Sequence, residues 1–395
     1  MPTADPGAPA APSQPTPAAA SPPAEPSAPA AASPAAASTP AAAADFTVDF
    51  PSGERTRVVI GPLSLLPGLA RDLGVRAGLL CDARLVPLHG PALRALTPAF
   101  GDLLARPVTE ARKQLAEVEA MCEALSARGL GRDGFVVAIG GGVLTDLAGL
   151  AAALYLRGVP WVSVPSTLLA QVDAGLGGKT GANLRAGKNL VGAFHQPRVV
   201  LCDPALLSTL PERERWSGLA EVVKCALLEP AMLDACEALL DRAAQGDPAA
   251  LAPLVEASLR HKARVVSADA REGAARAFLN LGHTVGHALE AATGYARFTH
   301  GEAVALGLRG ALELSRPLLA PADHARALRL VSRLRVQPDA RLDAAERERA
   351  LQALTRDKKT KAGQVRFVLL RALGAPELVA VEPEGCVRAL DAAVS

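Results

Sequence analysis

From residue 45 onward, short apolar runs alternate with stretches whose apolar positions recur at helical spacing. The runs Thr47–Phe50, Arg57–Ile60, Gly78–Cys81, Phe135–Ile139, Trp161–Val164 and Val199–Cys202 have the length of buried strands. Between them, Glu110–Arg128 and Val143–Arg157 have a helical texture. Strands alternating with helices predict a mostly parallel sheet covered by helices. After Pro204 the strand signal nearly vanishes. Ser217–Leu228, Leu251–Asp269, Thr284–Ala292, Gly301–Leu319 and Pro321–Leu334 read as amphipathic helices, and Gln364–Leu370 as an isolated late strand or hairpin. The expected fold is an α/β N-terminal, Rossmann-like nucleotide-binding domain over residues 45–204, followed by a mostly α-helical domain over residues 205–395. No internal repeat and no apolar stretch of membrane-spanning length stands out.

Residues 1–44 depart from this pattern. They are almost all Ala, Pro, Ser and Thr and contain no Lys or Arg. They lack the basic start and apolar core of a secretory signal and the arginines of a transit peptide, and read as a disordered, partly extended tail. Only 3% of the 395 residues are aromatic, so the cores must be aliphatic. A net charge of +2 argues against a nucleic-acid binder or a polybasic membrane protein. The six cysteines form no CxxC pair, which excludes a thiolate metal site of that kind and predicts a reducing, cytoplasmic setting. Of the 42 basic residues only eight are lysines (113, 179, 188, 224, 262, 358, 359 and 361), so each lysine is informative as a compact charge suited to phosphate.

Candidate chemistry concentrates in three places. FVVAIGGGVLTD (residues 135–146) is a buried strand running into glycines and a helix, which lets backbone N–H groups approach a pyrophosphate. Asp82, at the end of a strand, and Glu110, with Lys113 one turn later, are placed to serve ribose hydroxyls. The stretch VPSTLLAQVDAGLGGKTGAN (164–183) with GKNLVG (187–192) is dense in Gly, Asn and Lys. Lys179 and Lys188 supply charge there, and Asp173 and Asn189 can bind hydroxyls, a composition suited to a polyhydroxylated anion. Its GGKTG lacks the upstream spacing of a P-loop. Finally, Glu221 and Lys224 lie in GLAEVVK, His283 and His287 in LNLGHTVGHALE, and His300 in HGEAV. His283 and His287 share a helix face at i and i+4. Imidazoles with a carboxylate are a ligand set for catalytic Zn²⁺. Spacing alone points to both as ligands, with one of them as a general base the open alternative. Lys262, Arg276 and Asn280 flank these residues and favour an anionic substrate.

Together these motifs, with LSTLPERERWSGLAEVVK and RDKK, make the chain resemble the 3-dehydroquinate synthase family over residues 45–375. The resemblance implies a lyase that converts 3-deoxy-D-arabino-heptulosonate 7-phosphate, a phosphorylated sugar acid, using NAD⁺ and one divalent metal, Zn²⁺ or Co²⁺. It implies metal ligands Glu221, His283 and His300, with His287 a nearby base. It places NAD⁺ against Asp82, Glu110, Lys113, Gly141, Gly142, Val143, Asp146, Ser166, Thr167, Lys179, Lys188, Leu206 and Thr209. Substrate would meet Asp173, Lys179, Asn189, Lys224, Lys262, Arg276, Asn280, His287 and Lys358 or Lys359. It also implies a homodimer in which Arg157 reaches the neighbouring site. The chain departs from the family's PTT with Pro165-Ser166-Thr167, and from VDSSVGGKTG with Ala174 and Gly175. Leu184 stands where a His is usual. The alternatives are a cyclase acting on another sugar phosphate and a metal-dependent alcohol dehydrogenase.

Overall fold

The computed structural model describes residues 42–268, 274–356 and 365–395. Residues Pro40–Ser395 form one compact unit. The strands are β1 (Ala44–Asp49), β2 (Arg55–Ile60), β3 (Ala77–Asp82), β4 (Leu103–Arg106), β5 (Phe135–Gly140), β6 (Trp161–Pro165), β7 (Lys179–Leu184), β8 (Gly187–Phe194), β9 (Val199–Cys202), β10 (Val365–Ala372) and β11 (Ala375–Val381). Seven of them form one sheet in the order β1-β2-β9-β6-β5-β3-β4. It is parallel throughout except for the antiparallel edge pair β1–β2. All six residues of β5 are buried, with side chains alternating between two cores. Phe135, Val137 and Ile139 pack on one face, while Val136 and Ala138 meet Leu144 and Leu147 of the helix Gly142–Leu154 on the other. A strand buried on both faces is why this run reads as continuously apolar.

Connections leave β3 toward β4 and leave β5 toward β6, in opposite directions. The strand order therefore reverses between β3 and β5, and the carboxyl ends of those strands flank the crevice where such sheets take ligands. After β9 the chain is mostly helical. The helix Glu212–Leu228 is buried continuously from Trp216 to Leu228 and runs through a large aliphatic core shared with β2, β9 and the helix Pro248–Ala268. Burial on all sides is why its two inward charges, Glu221 and Lys224, stand i and i+3 as a pair. The helix His300–Ser315 starts with a capping box between Thr299 and Glu302, and it packs against His283–Ala292. No helix among the described residues is long and apolar enough to cross a membrane.

Several expectations need correction. Glu110–Arg128 is not one helix: a 3₁₀ turn, Glu110–Arg112, is separated from Leu115–Ala127 by Gln114 in extended backbone. The stretch 179–194 is an antiparallel hairpin, β7–β8, preceded by a π-helical turn at Ala170–Ala174. Of the two readings of the late strand, the hairpin holds: it is β10 paired with β11. β4 and the helices Leu85–Arg94, Leu233–Ala244 and Pro383–Val394 were not anticipated.

Candidate active site

Gly141 precedes the helix Gly142–Leu154 in extended backbone, and no side chain caps that helix end. Its first-turn N–H groups, including that of Val143, are therefore open to an anion. A Cβ on Gly141 would lie 2.9 Å from Thr167 Cγ2. The Ser166 N–H donates to the Gly140 carbonyl (2.9 Å), which lays the Ser166-Thr167 loop over the turn. Asp82 ends β3 on the other side of the crevice. It is 3% exposed, and its carboxylate accepts from the Arg84 backbone N–H (3.0 Å) and guanidinium (2.6 Å). In the 3₁₀ turn Pro204–Thr209, the Leu206 side chain belongs to the sheet core, so only its backbone can face a ligand. Thr209 Oγ1 lies 2.7 Å from His89 Nε2.

The break after Glu110–Arg112 turns Lys113 inward. Its buried ammonium donates to Asp146 Oδ2 (2.5 Å) and Asn189 Oδ1 (2.6 Å). Burial raises the pKa of Asp146 and the Lys113 charge opposes the rise. Asn189 adopts φ +54°, and its N–H donates to Asn183 Oδ1 (2.8 Å). Asn183 Nδ2 in turn donates to Glu110 Oε1 (2.8 Å). Lys188 lies 3.6 Å from Glu110 and 4.5 Å from the centre of the Tyr295 ring. The hairpin tip is thus tied both to the 110–113 turn and to Tyr295, just before His300. Lys179, exposed, opens β7.

The second half brings the carboxylate and imidazoles together. Glu221 is 1% exposed. The Lys224 ammonium forms an ion pair with Oε2. Oε1 lies 3.4 Å from His283 Nε2 and 3.6 Å from His300 Nε2. Burial opposes the Glu221 charge, but Lys224, His283 and His300 outweigh it and hold the carboxyl well below its usual range. His283 Nδ1–H donates to the Leu281 carbonyl (3.2 Å), leaving Nε2 as a bare acceptor. Burial pushes its pKa down to about 3. A carboxylate oxygen and an unprotonated imidazole nitrogen that face each other are both lone-pair donors and suit a shared cation. One atom each of Glu221, His283 and His300 lies within 4.8 Å of the others, which fits a divalent metal with room for a further ligand. His287 is exposed, with its ring 5.3 Å from His283 and 6.0 Å from His300. It belongs to a second group, His287, Glu290 and His300. The spacing-only pairing of His283 with His287 in one ligand set is therefore not what the arrangement favours.

Lys262, 6% exposed, donates to Asp173 Oδ1 (2.5 Å) and to the Asp173 carbonyl. Burial lowers the Lys262 pKa, while Lys262 and Lys224 draw Asp173 down to about 2 against its own burial. Arg276, 6% exposed, reaches the Gly177 carbonyl (3.4 Å). Gly177 has φ +105°, and a Cβ there would lie 2.9 Å from Arg276 Nη2 and 3.7 Å from Lys262 Cε. The glycine lets both cations close on the turn. Asn280, half-buried, donates to the Ala277 carbonyl (3.2 Å). Arg157 lies apart, exposed on a turn with Leu156 at φ 51° and Arg157 at φ 67°. Lys358 and Lys359 lie outside the described residues.

Residues 104–217 match the family model for the 3-dehydroquinate synthase N-terminal region, and residues 218–360 the model for its C-terminal region. The chain belongs to the 3-dehydroquinate synthase family. It is 48% identical over 288 residues to the 3-dehydroquinate synthase of Methylococcus capsulatus, covering 72% of this chain and 79% of that protein. It is 44% identical over 333 residues to that of Rhodospirillum rubrum, covering 79% and 86%. Among solved structures it resembles 2-deoxy-scyllo-inosose synthase complexed with carbaglucose-6-phosphate, NAD⁺ and Co²⁺, at TM-score 0.76 and 25% identity over 89% of this chain and 99% of that one. It also resembles 2-epi-5-epi-valiolone synthase from Streptomyces hygroscopicus with NAD⁺ and Zn²⁺ bound, at TM-score 0.75 and 32% identity over 85% and 96%. An iron-containing alcohol dehydrogenase at TM-score 0.62 and 18% identity shares the fold alone.

Proposed function

We propose that this member of the 3-dehydroquinate synthase family is a lyase that turns 3-deoxy-D-arabino-heptulosonate 7-phosphate into 3-dehydroquinate and phosphate. The observation that carries the reading is the buried Glu221 carboxylate, its Oε2 paired with Lys224 and its Oε1 facing the bare Nε2 of His283 and the Nε2 of His300, with the Lys262–Asp173 pair close by. In this reading residues 45–204 hold NAD⁺ and residues 205–395 form the metal and substrate domain. The last sheet strand ends at Cys202, which supports that division.

Bound NAD⁺ supplies reversible hydride acceptance, and a divalent ion, Zn²⁺ or Co²⁺, supplies Lewis acidity at the alcohol being oxidised. Glu221, His283 and His300 would hold the ion. The crevice between Asp82 and the Gly141–Asp146 turn would hold the dinucleotide, with Glu110, Lys113, Ser166, Thr167, Lys179, Lys188 and the Leu206–Thr209 turn around it. Lys262, Arg276 and Asn280 would bind the substrate carboxylate, and Asp173 and Asn189 its hydroxyls. Lys224, Lys179 and a lysine of residues 358–359 would gather charge around the phosphate, easing its departure by β-elimination with the phosphate itself as base. His287, exposed and with its ring 5.3 Å from that of His283, would hold or move a proton at its imidazole. The later ring opening and aldol closure need orientation more than further acids. Arg157, exposed and without a partner among the described residues, supports a homodimer in which it serves the neighbouring site. Six unpaired cysteines support a cytoplasmic setting.

The test is phosphate release from this substrate by metal-loaded protein with catalytic NAD⁺, beside sedoheptulose 7-phosphate. Release from the first alone, without net NADH and abolished by chelation, supports the proposal. Release from the control alone assigns a different sugar phosphate cyclase. Steady NADH formation without phosphate release refutes the cyclase reading.

A further inference from the structure

The motif LNLGHTVGHALE ends in Glu290, a residue given no role above. Glu290 is 7% exposed on the helix His283–Ala292. Its Oε1 lies 3.5 Å from His300 Nδ1. The two imidazole nitrogens of His300 therefore face two different carboxylates, Glu221 at Nε2 and Glu290 at Nδ1. An imidazole set this way has one consistent assignment as a metal ligand: the Nδ1–H donates to Glu290, and the Nε2 lone pair points at the ion. A carboxylate that accepts the outer N–H of a ligating histidine fixes its tautomer and ring orientation and raises its basicity.

His300 needs such a partner more than His283 does. His283 is fixed by the backbone carbonyl of Leu281 and is buried, whereas the His300 side chain is 30% exposed and stands at the first position of its helix. The seven residues between the helix carrying Glu290 and the one carrying His300 include Tyr295 at φ +57°, whose N–H donates to the Glu290 carbonyl (2.7 Å). Side chain and backbone of Glu290 thus span the connection between the two histidine-bearing helices.

We infer that Glu290 is the positioning residue of the metal site, acting through His300 and not as a ligand itself. This rests on the proposed metal site, so the test must separate the two. Metal affinity of the full chain is measured by competition with a chelating indicator for Zn²⁺, and from the visible spectrum for Co²⁺, in the wild type, Glu290→Ala, Glu290→Gln and His283→Ala. His283→Ala must abolish stoichiometric binding; if it does not, the site itself is wrongly placed and the inference falls with it. Given that loss, Glu290→Ala is expected to weaken binding by about 10- to 100-fold. Glu290→Gln, whose amide oxygen still accepts from Nδ1–H, should weaken it only several-fold and keep the Co²⁺ spectrum. Unchanged affinity in folded Glu290→Ala, or equal loss in the Ala and Gln variants, overturns the inference. Thermal melting of the metal-free variants shows whether each is folded, and the near-isosteric Gln variant keeps the question answerable if the Ala variant is not.

Discussion

The buried Lys113–Asp146 pair allows a quantitative test of how the cofactor crevice is held. Lys113→Met keeps the length of the side chain and removes its charge, leaving the Asp146 carboxylate without its partner at 2.5 Å. Breaking a buried pair by removing one member costs about 3–5 kcal/mol. The Asp146 side chain is 20% exposed, so water reaches part of it and the lower end, about 3 kcal/mol, applies. The hydrogen bond to Asn189 adds little because Asn189 is exposed and can turn to water. Burial already raises the Asp146 pKa and Lys113 restrains the rise, so the variant should raise it further. A carboxyl whose folded pKa exceeds its unfolded value near 3.8 stabilises the fold while protonated and loses that contribution as pH climbs through the folded pKa. The deficit should therefore be small near pH 4, grow with pH, and level off above the folded pKa. Urea unfolding followed by the two tryptophans, Trp161 in the sheet and Trp216 among the helices, measures it. Lys113→Met with Asp146→Asn should be little worse than Lys113→Met alone. A deficit below about 1 kcal/mol at pH 8, a deficit independent of pH, or strict additivity of the two substitutions would refute the account.

Other expectations follow from the same geometry. Glu221→Ala should abolish stoichiometric metal binding and phosphate release together, checked by metal analysis after dialysis and a phosphate assay. In the metal-free protein, burial opposes the charge of His300, but Glu221 and Glu290 raise its pKa to about 10. A base raised from 6.5 stabilises fully below that pH and loses the effect toward about pH 10, so metal-free protein should melt lower across that window. For the same reason metal binding at pH 8 should release about one proton from His300, seen as a buffer-dependent enthalpy in calorimetry. A Cβ at Gly301 would land on the Ser217 backbone, so Gly301→Ala should destabilise by at least about 1–3 kcal/mol and weaken the metal site beside it; thermal melts and metal titration check both.

What the sequence made legible is what depends on local repetition or on a rare residue type. β5 and β9 were readable because both faces are buried and their runs are unbroken. The histidines were readable because there are only seven in the chain and three fall close together. The i, i+4 rule placed His283 and His287 on one face, but it could not say which of them shares a cation with Glu221, 62 residues earlier in the chain. That is decided by the Leu281 carbonyl, which turns His283 Nε2 toward Glu221, and by the packing of two helices across a glycine contact at Gly301. The helical reading of the turn that carries Lys113 failed for a related reason. The spacing of Lys113 from Glu110 suits a helix, yet a buried ammonium reaching Asp146 and Asn189 is worth more than one further turn of hydrogen bonds, so tertiary contact overrides propensity. The hairpin β7–β8 was hidden for the opposite reason. Much of its outer surface is exposed, its strands carry Gly, Asn and Lys in place of alternating apolar residues, and its register is set by cross-strand pairing such as Lys179 with Phe194. Functional segments of this kind are chosen for what they hold, so their sequences read as loops even where the backbone forms a paired hairpin.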